Sequence, residues 1–434
     1  MTPIVAGIVG MSVLVVLMFM GMPIGLAMLI TGFAGFTYVV HLSGAFQVLF
    51  SVPYSLITSY DYAVLPLFLL MAEICMAAGM GQSLYKLVYA WIGRLRGGLA
   101  VATLGACAFF AAASSSSIAT AATIGLVAIP EMRKYKYDTA VATGCLAAGG
   151  GLGILIPPSG VLILYGIMTQ QSITKLFIAG LLPGIILTLM FMMTIYIRAW
   201  FKPELAPAGE RTTMREKVTA MSDSVEMVVL LILVIVGLVI GWFTPTEAGA
   251  AGALGALLLS LIRKRLSWQG LKKALVQTLR TTGMIFTILM GALVLNSFLA
   301  VSTIPMELAG WVSGLGLPPI LVMIIIIIVY VLLGTIIDAI SAVLLTLPVF
   351  FPLIVELGFD PIWFGVVIVM VVEMGMISPP VGMTLYVIKG IVPDIPIGTI
   401  FRGTIPFIVV ELVFVALITA FPVIVTFLPS ISGG

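Results

Sequence analysis

The chain has 434 residues, of which 62% are hydrophobic and 9% are charged, and its formal net charge is +3. Soluble globular domains carry about a quarter charged residues, so this composition excludes that class. A net charge this small, spread over short loops, also argues against nucleic acid as a partner. Apolar runs of about 20 residues, the length that crosses a bilayer, fill most of the chain and predict an all-α polytopic membrane protein.

The first part of the chain alternates long apolar runs with short polar ones. Its N-terminus lacks the basic region of a cleaved signal, so we expect the first helix to be retained. Residues 44–58 are half polar and are predicted to lie along the membrane interface, and residues 81–93 form a cytoplasmic interfacial arm. The predicted spans of this half are 2–20, 23–40 and 60–79, and those that repeat the order in the second half are near 224–242, 245–261 and 281–300.

Residues 98–131 are predicted to form a re-entrant hairpin. Basic residues flank both ends, and two apolar arms, 99–113 and 118–130, are separated by the serines 114–117. An arm of about 15 residues reaches about 22 Å as a helix, which is short of the roughly 30 Å hydrocarbon core. The hairpin therefore enters and leaves from one side, with the serines at its tip. A second hairpin is predicted over residues 318–352, with its tip near 334–341.

Each hairpin is followed by a span that the sequence interrupts, over 138–169 and 361–391. The first holds five glycines and two adjacent prolines between Gly149 and Gly160, and the second holds a Pro-Pro pair between Gly375 and Gly382. Proline removes an amide donor and disfavours helix at the preceding residue, so nearby carbonyls lose their intrahelical partners. Freed carbonyls with neighbouring hydroxyls suit Na⁺, and half-helix N-termini suit a carboxylate. The alternative is an ordinary proline kink.

An internal repeat with an offset of 222 residues relates these features. Six positions of the first half recur in the second, which are Pro130, Asp138, Gly153, Pro157, Pro158 and Gly160. Loops that hold Lys and Arg in one half have none in the other, so the positive-inside rule places equivalent loops on opposite sides. The sequence thus predicts inverted repeats, 1–200 and 223–434, joined by a cytoplasmic linker, 201–222, with basic residues Lys202, Arg211, Arg215 and Lys217. Both termini are expected outside.

Five acidic residues lie within or beside apolar spans, where an ionised carboxylate is costly; they are Asp61, Glu73, Glu247, Asp338 and Glu373. Asp338 and Glu373 either face a ligand or make structural hydrogen bonds, whereas Glu247 fits a helix N-terminal cap. The only histidine, His41, falls in a predicted outer loop, and the three cysteines fit small buried hydrophobes. No Gly-rich phosphate loop is present, so an ion gradient is the expected energy source.

Several segments resemble the large membrane subunit of tripartite ATP-independent periplasmic (TRAP) transporters, along nearly the full chain. They are 116–125, 147–159, 175–184, 244–248, 359–366 and 373–382. The resemblance implies an elevator-type mechanism, in which a transport domain with both hairpins slides against a scaffold. It also implies coupling to Na⁺, a small four-helix membrane subunit, a periplasmic substrate-binding protein and the bacterial inner membrane, with periplasmic termini. Substrates of the family are mostly organic acids.

The resemblance also assigns site residues. One Na⁺ site would use Ser114 with carbonyls of Gly153, Ile156 and Pro158, and the other would use Gly334, Gly375, Ser378 and Val381. Substrate would lie between the hairpin tips, near Ser116, Ser117, Asp338, Ser341 and Thr384. Two residues depart from the family pattern: Ser115 stands where glycine is common, and Thr384 stands where asparagine is common.

Other functions remain open at this point. A stand-alone Na⁺/carboxylate symporter of the same architecture would need no binding protein. An intramembrane hydrolase would need a base beside the serines, and no histidine or lysine lies near them in sequence. A passive channel would not need two polar-tipped hairpins on opposite faces.

Overall fold

The computed structural model describes residues 2–210 and 212–431, and this part of the chain contains helices and no strand. Nine of its helical segments are long and apolar enough to cross a membrane. The helices of the first half are α1 (Pro3–Phe19), α2 (Ile24–Val39), α3 (Leu42–Thr58), α4 (Val64–Ala77), α5 (Met80–Ile92), α6 (Gly98–Ser114), α7 (Ser117–Lys134), α8 (Thr139–Leu155), α9 (Gly160–Thr169) and α10 (Ile173–Phe201).

The second half contains the same kinds of helix in nearly the same order. They are α11 (Met214–Val239), α12 (Pro245–Ile262), α13 (Trp268–Ser302), α14 (Ile304–Gly314), α15 (Pro319–Ile336), α16 (Ala339–Glu356), α17 (Pro361–Met376), α18 (Met383–Ile391), α19 (Ile397–Ala420) and α20 (Val423–Ile431). Short 3₁₀ turns occupy Tyr60–Ala63 and Pro203–Leu205.

One element breaks the expected repetition of the two halves. The sequence predicts an interfacial stretch separate from the third span in both halves, and the first half has it as α3 and α4. In the second half, α13 runs unbroken for 35 residues, so that expectation is wrong there. Pro66 fits the break in the first half, because a proline ring clashes with the carbonyl four residues earlier in a continuous helix, and here it lies in the first turn of α4. Its counterpart 222 positions later is Ile288, which allows the helix to continue.

The two interrupted helices lie at the centre of the molecule. The hairpin of α6 and α7, hereafter hairpin 1, packs on α8, and the hairpin of α15 and α16, hereafter hairpin 2, packs on α17. Contacts then cross between the halves: α8 packs on α19, α17 on α10, α9 on α16 and α18 on α7. A separate pairing of α2 with α13 and of α4 with α12 forms the flanking part. Nearly every side chain of α8 and α17 is buried.

The segment between the halves is tied to the first half by backbone hydrogen bonds. Gly97 donates to the Ala206 carbonyl at 2.9 Å, Asp138 to Leu205 at 3.0 Å and Gly209 to Gly93 at 3.0 Å. The linker therefore contacts both the arm helix α5 and the start of hairpin 1. Arg211, one of the basic residues assigned to it, lies outside the described residues.

Candidate transport site

The tip of hairpin 1 is built from four consecutive serines. Helix α6 ends at Ser114, and Ser115 turns the chain with a left-handed φ of 50°. Ser116 then caps α7 by accepting a hydrogen bond from the Ala119 amide. The Ser114 hydroxyl lies 2.5 Å from the Thr120 hydroxyl, so two hydroxyl oxygens face each other just below the tip.

The first interruption leaves carbonyl groups free beside these hydroxyls. Helix α8 ends at Leu155, and the residues that should donate to the Gly153 and Ile154 carbonyls are Pro157 and Pro158, which have no N–H. A Cβ atom at Gly153 would lie 3.1 Å from the Ser116 carbonyl and 3.1 Å from the Thr120 hydroxyl. The Gly153 backbone thus packs directly against the hairpin tip.

The first predicted Na⁺ site, hereafter the first cage, has two further carbonyl ligands, those of Ile156 and Pro158. Ile156 caps the C-terminus of α8 in extended conformation. The Pro158 carbonyl accepts a hydrogen bond of 2.7 Å from the Ser115 hydroxyl. The structure therefore brings Ser114 and Gly153 to the two sides of Thr120, and it ties Pro158 to the tip through Ser115.

Beside the second interruption, Gly334 of hairpin 2 and Gly375 of α17 lie in backbone contact. A Cβ atom at Gly334 would lie 2.4 Å from the Val372 carbonyl oxygen, and one at Gly375 would lie 2.5 Å from the Val331 carbonyl oxygen. The Gly375 carbonyl accepts from the Ser378 amide at 2.9 Å, and the Ser378 hydroxyl donates to Met374. Val381 is half-buried just before α18. Gly334, Gly375 and Ser378 thus lie together.

A cavity of about 170 Å³ lies between the two hairpin tips. Three helices begin at its wall: α7 at Ser116 and Ser117, α9 at Gly160, and α16 at Asp338 and Ala339. Helix N-termini carry partial positive charge and unpaired N–H groups. The remaining wall comes mostly from apolar side chains of the hairpins, of the interrupted helices and of α4 and α13, including Phe68, Ile285 and Met376. The cavity therefore combines hydroxyl groups with a field that favours an anion.

The five predicted substrate contacts do not all reach this cavity. Ser116, Ser117 and Asp338 line it. Ser341 and Thr384 do not line it, and their hydroxyl groups are buried without a hydrogen-bond partner. Asp338 also caps α16, because its carboxylate accepts from the Ser341 amide at 3.1 Å, so its charge is partly used by its own helix.

Sequence reasoning missed several parts of this site. The Ser117 hydroxyl donates a 2.6 Å hydrogen bond to Glu373 of the other half, and nothing in either segment predicts that contact. Thr120 was also missed, although its spacing of six residues from Ser114 across a helical tip is a usable signal. Thr281 of α13 lines the cavity in a region that the sequence marked only as a span.

Other predicted roles are settled directly by the structure. Glu247 completes a capping box with Thr244 at the start of α12, which confirms the predicted cap. His41 caps α3 by accepting from the Gly44 amide at 3.0 Å. Cys75, Cys107 and Cys145 are free and buried, as expected of small hydrophobic side chains.

The fold itself is similar to that of solved membrane transporters. The YdaH transporter of Alcanivorax borkumensis superposes with a TM-score of 0.59 at 15% identity, covering 88% of each chain. MtrF of Neisseria gonorrhoeae, from a class of antimetabolite efflux pumps, superposes with a TM-score of 0.59, covering 87% of this chain and 84% of that one. The fold and its interrupted, polar-tipped core therefore define a polytopic α-helical membrane protein.

The family follows from the sequence comparisons. A family model for the DctM component of the tripartite ATP-independent periplasmic transporters matches residues 11–424. The chain therefore belongs to this family, the large permease of TRAP transporters. Its relatives are named as permeases, so the chain is a transport protein and not an enzyme.

Curated relatives with different substrates match over most of their length. The C4-dicarboxylate large permease of Pseudomonas aeruginosa is 36% identical, covering 90% of this chain and 94% of that protein. The sialic acid large permease of Vibrio cholerae is 30% identical, covering 96% and 97%. The 2,3-diketo-L-gulonate large permease of Escherichia coli is 31% identical, covering 81% and 82%.

Proposed function

We propose that this protein takes up a small organic acid by secondary active transport coupled to Na⁺, with an elevator-type movement. The observation that carries the proposal is the convergence of three helix N-termini and the serine hydroxyls on one cavity between the hairpin tips. That arrangement favours a carboxylate without a basic side chain, because the helix ends supply positive potential. The acids named for three relatives, a C4-dicarboxylate, sialic acid and a diketo sugar acid, have the same chemistry.

Na⁺ is the coupling ion that the oxygen groups suit best. Na⁺ is a hard cation and is best held by carbonyl and hydroxyl oxygens, as other hard cations are. The first cage would use Ser114 with the carbonyls of Gly153, Ile156 and Pro158. The second would use Gly334, Gly375, Ser378 and Val381. Both cages adjoin a hairpin tip, so bound Na⁺ would stabilise the arrangement of the tips that accepts the substrate.

The proposed movement divides the molecule into two bodies. Hairpins 1 and 2 and the interrupted helices would form the transport domain, because they pack mainly on one another and on α10 and α19. The paired helices α2 with α13 and α4 with α12 would form the scaffold. Carrying the cavity past α4 and α13 would expose the substrate on the other side of the membrane.

The proposed partners are a small four-helix membrane subunit and a periplasmic substrate-binding protein that delivers the acid. The proposed location is the bacterial inner membrane, with both termini in the periplasm. The support is the description of the family as tripartite and periplasmic, together with the distribution of Lys and Arg between loops. A stand-alone Na⁺/carboxylate symporter is the second candidate, because the cavity needs no partner to complete its lining.

The test is uptake of a radiolabelled organic acid into proteoliposomes that contain this chain and its small subunit. An inward Na⁺ gradient is imposed with and without the binding protein, and Ser114→Ala and Ser378→Ala are compared with Ser297→Ala. Among the described residues, the control hydroxyl donates only to the Leu293 carbonyl of its own helix. We expect uptake to need Na⁺ and the binding protein, and each cage variant to raise the half-saturating Na⁺ concentration about tenfold.

The outcomes separate the candidates. Uptake driven by Na⁺ without the binding protein would favour the stand-alone symporter. Uptake that does not respond to Na⁺, or cage variants that behave like Ser297→Ala, would reject the proposed coupling.

A further inference from the structure

We propose that Glu373 is a positioning residue that fixes the tip of hairpin 1, so that hairpin 2 is the part that moves to admit the substrate. This inference rests on the proposed transport function. It adds which of the two similar hairpins is fixed in place and which one moves. Glu373 lies on α17 in the second half of the chain and is 2% exposed. Its Oε1 accepts a 2.6 Å hydrogen bond from the hydroxyl of Ser117.

Ser117 is well placed to transmit this restraint. It is the first residue of α7, directly after the cap Ser116, and it is 1% exposed. A bond to its side chain fixes where α7 begins and therefore how Ser114 and Ser116 are oriented at the tip. The separation of 2.6 Å is at the short end of the range for hydrogen bonds between oxygen atoms, and both residues are buried from water.

The internal repeat shows that this bond has no counterpart in the other half. The positions equivalent to Ser117 and Glu373 at the offset of 222 are Ala339 and Gly151, and neither has a hydrogen-bonding side chain. Gly151 also makes room for the carboxyl group, because a Cβ atom there would lie 3.3 Å from Glu373 Oε2. The bond therefore joins hairpin 1 to the opposite half, and the repeat leaves hairpin 2 without an equivalent.

The other contacts at the tips show the same asymmetry. Hairpin 1 is also tied to the first interruption by the bond from Ser115 to the Pro158 carbonyl, and its Pro-Pro pair is buried. Hairpin 2 is tied to the second interruption by a backbone bond of 3.1 Å from Gly382 to the Thr335 carbonyl. Its Pro-Pro pair, Pro379 and Pro380, is exposed. Although both hairpins pack on both interrupted spans, in the described part of the chain the tip of hairpin 1 is hydrogen-bonded to both spans and the tip of hairpin 2 to one.

Distances between nitroxide labels can test which hairpin moves. Phe109 on α6 and Leu332 on α15 are exposed positions at nearly equivalent places, and Ile405 on α19 is an exposed reference that packs with the same core. The pairs Phe109→Cys with Ile405→Cys and Leu332→Cys with Ile405→Cys are labelled in nanodiscs, where the buried native cysteines are shielded. Distance distributions are then measured in Na⁺ and in choline, with and without a panel of organic acids.

We expect the hairpin 1 pair to give one narrow distribution in every condition and the hairpin 2 pair to broaden when Na⁺ is absent. Ser117→Ala and Glu373→Ala should broaden the distance distribution of the hairpin 1 pair. Glu373→Gln should keep it narrow, because the amide oxygen still accepts from Ser117. Thr103→Ala is the control, since it removes a buried hydroxyl of hairpin 1 that donates to the Leu99 carbonyl of its own helix.

Uptake kinetics provide the second measurement. Ser117→Ala and Glu373→Ala should each raise the half-saturating Na⁺ concentration about tenfold, and the double variant should be no worse than either one. Glu373→Gln should restore the parent value. A hairpin 1 pair that moves while the hairpin 2 pair stays fixed would overturn the inference, as would Glu373→Gln behaving like Glu373→Ala. Because label distances need no uptake, a failure of Na⁺ coupling is distinguishable from a failure of this inference.

Discussion

The two interrupted helices contain similar sequences but differ in their surroundings. In the first, Pro157 and Pro158 are buried and the chain is held to a serine tip by side-chain bonds. In the second, Pro379 and Pro380 are exposed, and the closest packing is between the backbones of Gly334 and Gly375. Polar side chains hold the first interruption in place, whereas close packing of glycine backbones holds the second. A duplicated local motif can therefore serve different purposes in its two copies.

The largest expected effect comes from adding a side chain where the backbones of Gly334 and Gly375 are in contact. Gly375→Ala would place a Cβ atom 2.5 Å from a backbone oxygen, whereas Gly153→Ala would place one 3.1 Å from its nearest neighbours. Overpacking costs about 1–3 kcal/mol, so we expect uptake to fall about tenfold or more in Gly375→Ala and less in Gly153→Ala. Initial rates in proteoliposomes measure this, with Gly390→Ala as a control, because nothing lies within 4 Å of a Cβ there. Equal losses at both glycines would contradict the comparison.

A smaller effect is expected from the serine that ties the first interruption to its tip. Ser115→Ala removes the bond to the Pro158 carbonyl, which is worth about 1 kcal/mol, and keeps a side chain at a left-handed φ of 50°. Ser115→Gly also removes the bond, but glycine adopts that conformation without strain. Thermal unfolding of the purified protein should rank parent above glycine and glycine above alanine. A glycine variant less stable than the alanine variant would show that the φ angle contributes nothing.

The smallest effect concerns an exposed ion pair between hairpin 1 and the second half. Arg133, at the end of α7, bonds both carboxylate oxygens of Asp394, in the loop before α19, at 2.8 Å. This hydrogen bond lowers the pKa of Asp394 below its ordinary 3.8. A carboxyl group whose pKa is lower in the folded state stabilises that state at pH values above its ordinary pKa. This stabilisation is lost as the pH falls through the folded-state pKa. The contribution is therefore present at neutral pH and is lost below about pH 4.

Arg133→Gln tests this pair. We expect a small decrease in thermal stability at pH 7 that shrinks with added salt, because exposed charges are screened. The difference from the parent protein should begin to shrink near pH 4 and vanish at lower pH, once Asp394 is protonated. A difference that persists at that pH would mean that Arg133 acts through packing and not through its charge.

Local chemistry made much of this architecture predictable. Proline pairs interrupt helices wherever they occur, so the ends of α8 and α17 lie at the predicted prolines. Ser115, Ser116 and Asp338 lie between helices because short polar side chains favour turns and caps over helix interiors. Where the prediction of α13 was wrong, the cause was also local: one proline, Pro66, is present in the first half and absent from the second.

Contacts between distant segments were beyond sequence reasoning. The bond between Ser117 and Glu373 joins residues 256 positions apart, and a single sequence gives no signal for such a pair. The same holds for the buried hydroxyl groups of Ser341 and Thr384, which do not line the cavity, because helix rotation decides which side chains face a cavity.

The sequence alone determined that this protein lies in a membrane, where its helices are interrupted and to which family it is similar, because hydropathy, proline and glycine act over a few residues. Tertiary structure decided that three helix N-termini meet at one cavity and that, in the described part of the chain, one of the two hairpins is hydrogen-bonded to the opposite half. Those features depend on how helices pack across the two halves. Packing is set by the shapes of surfaces that meet only in the folded chain.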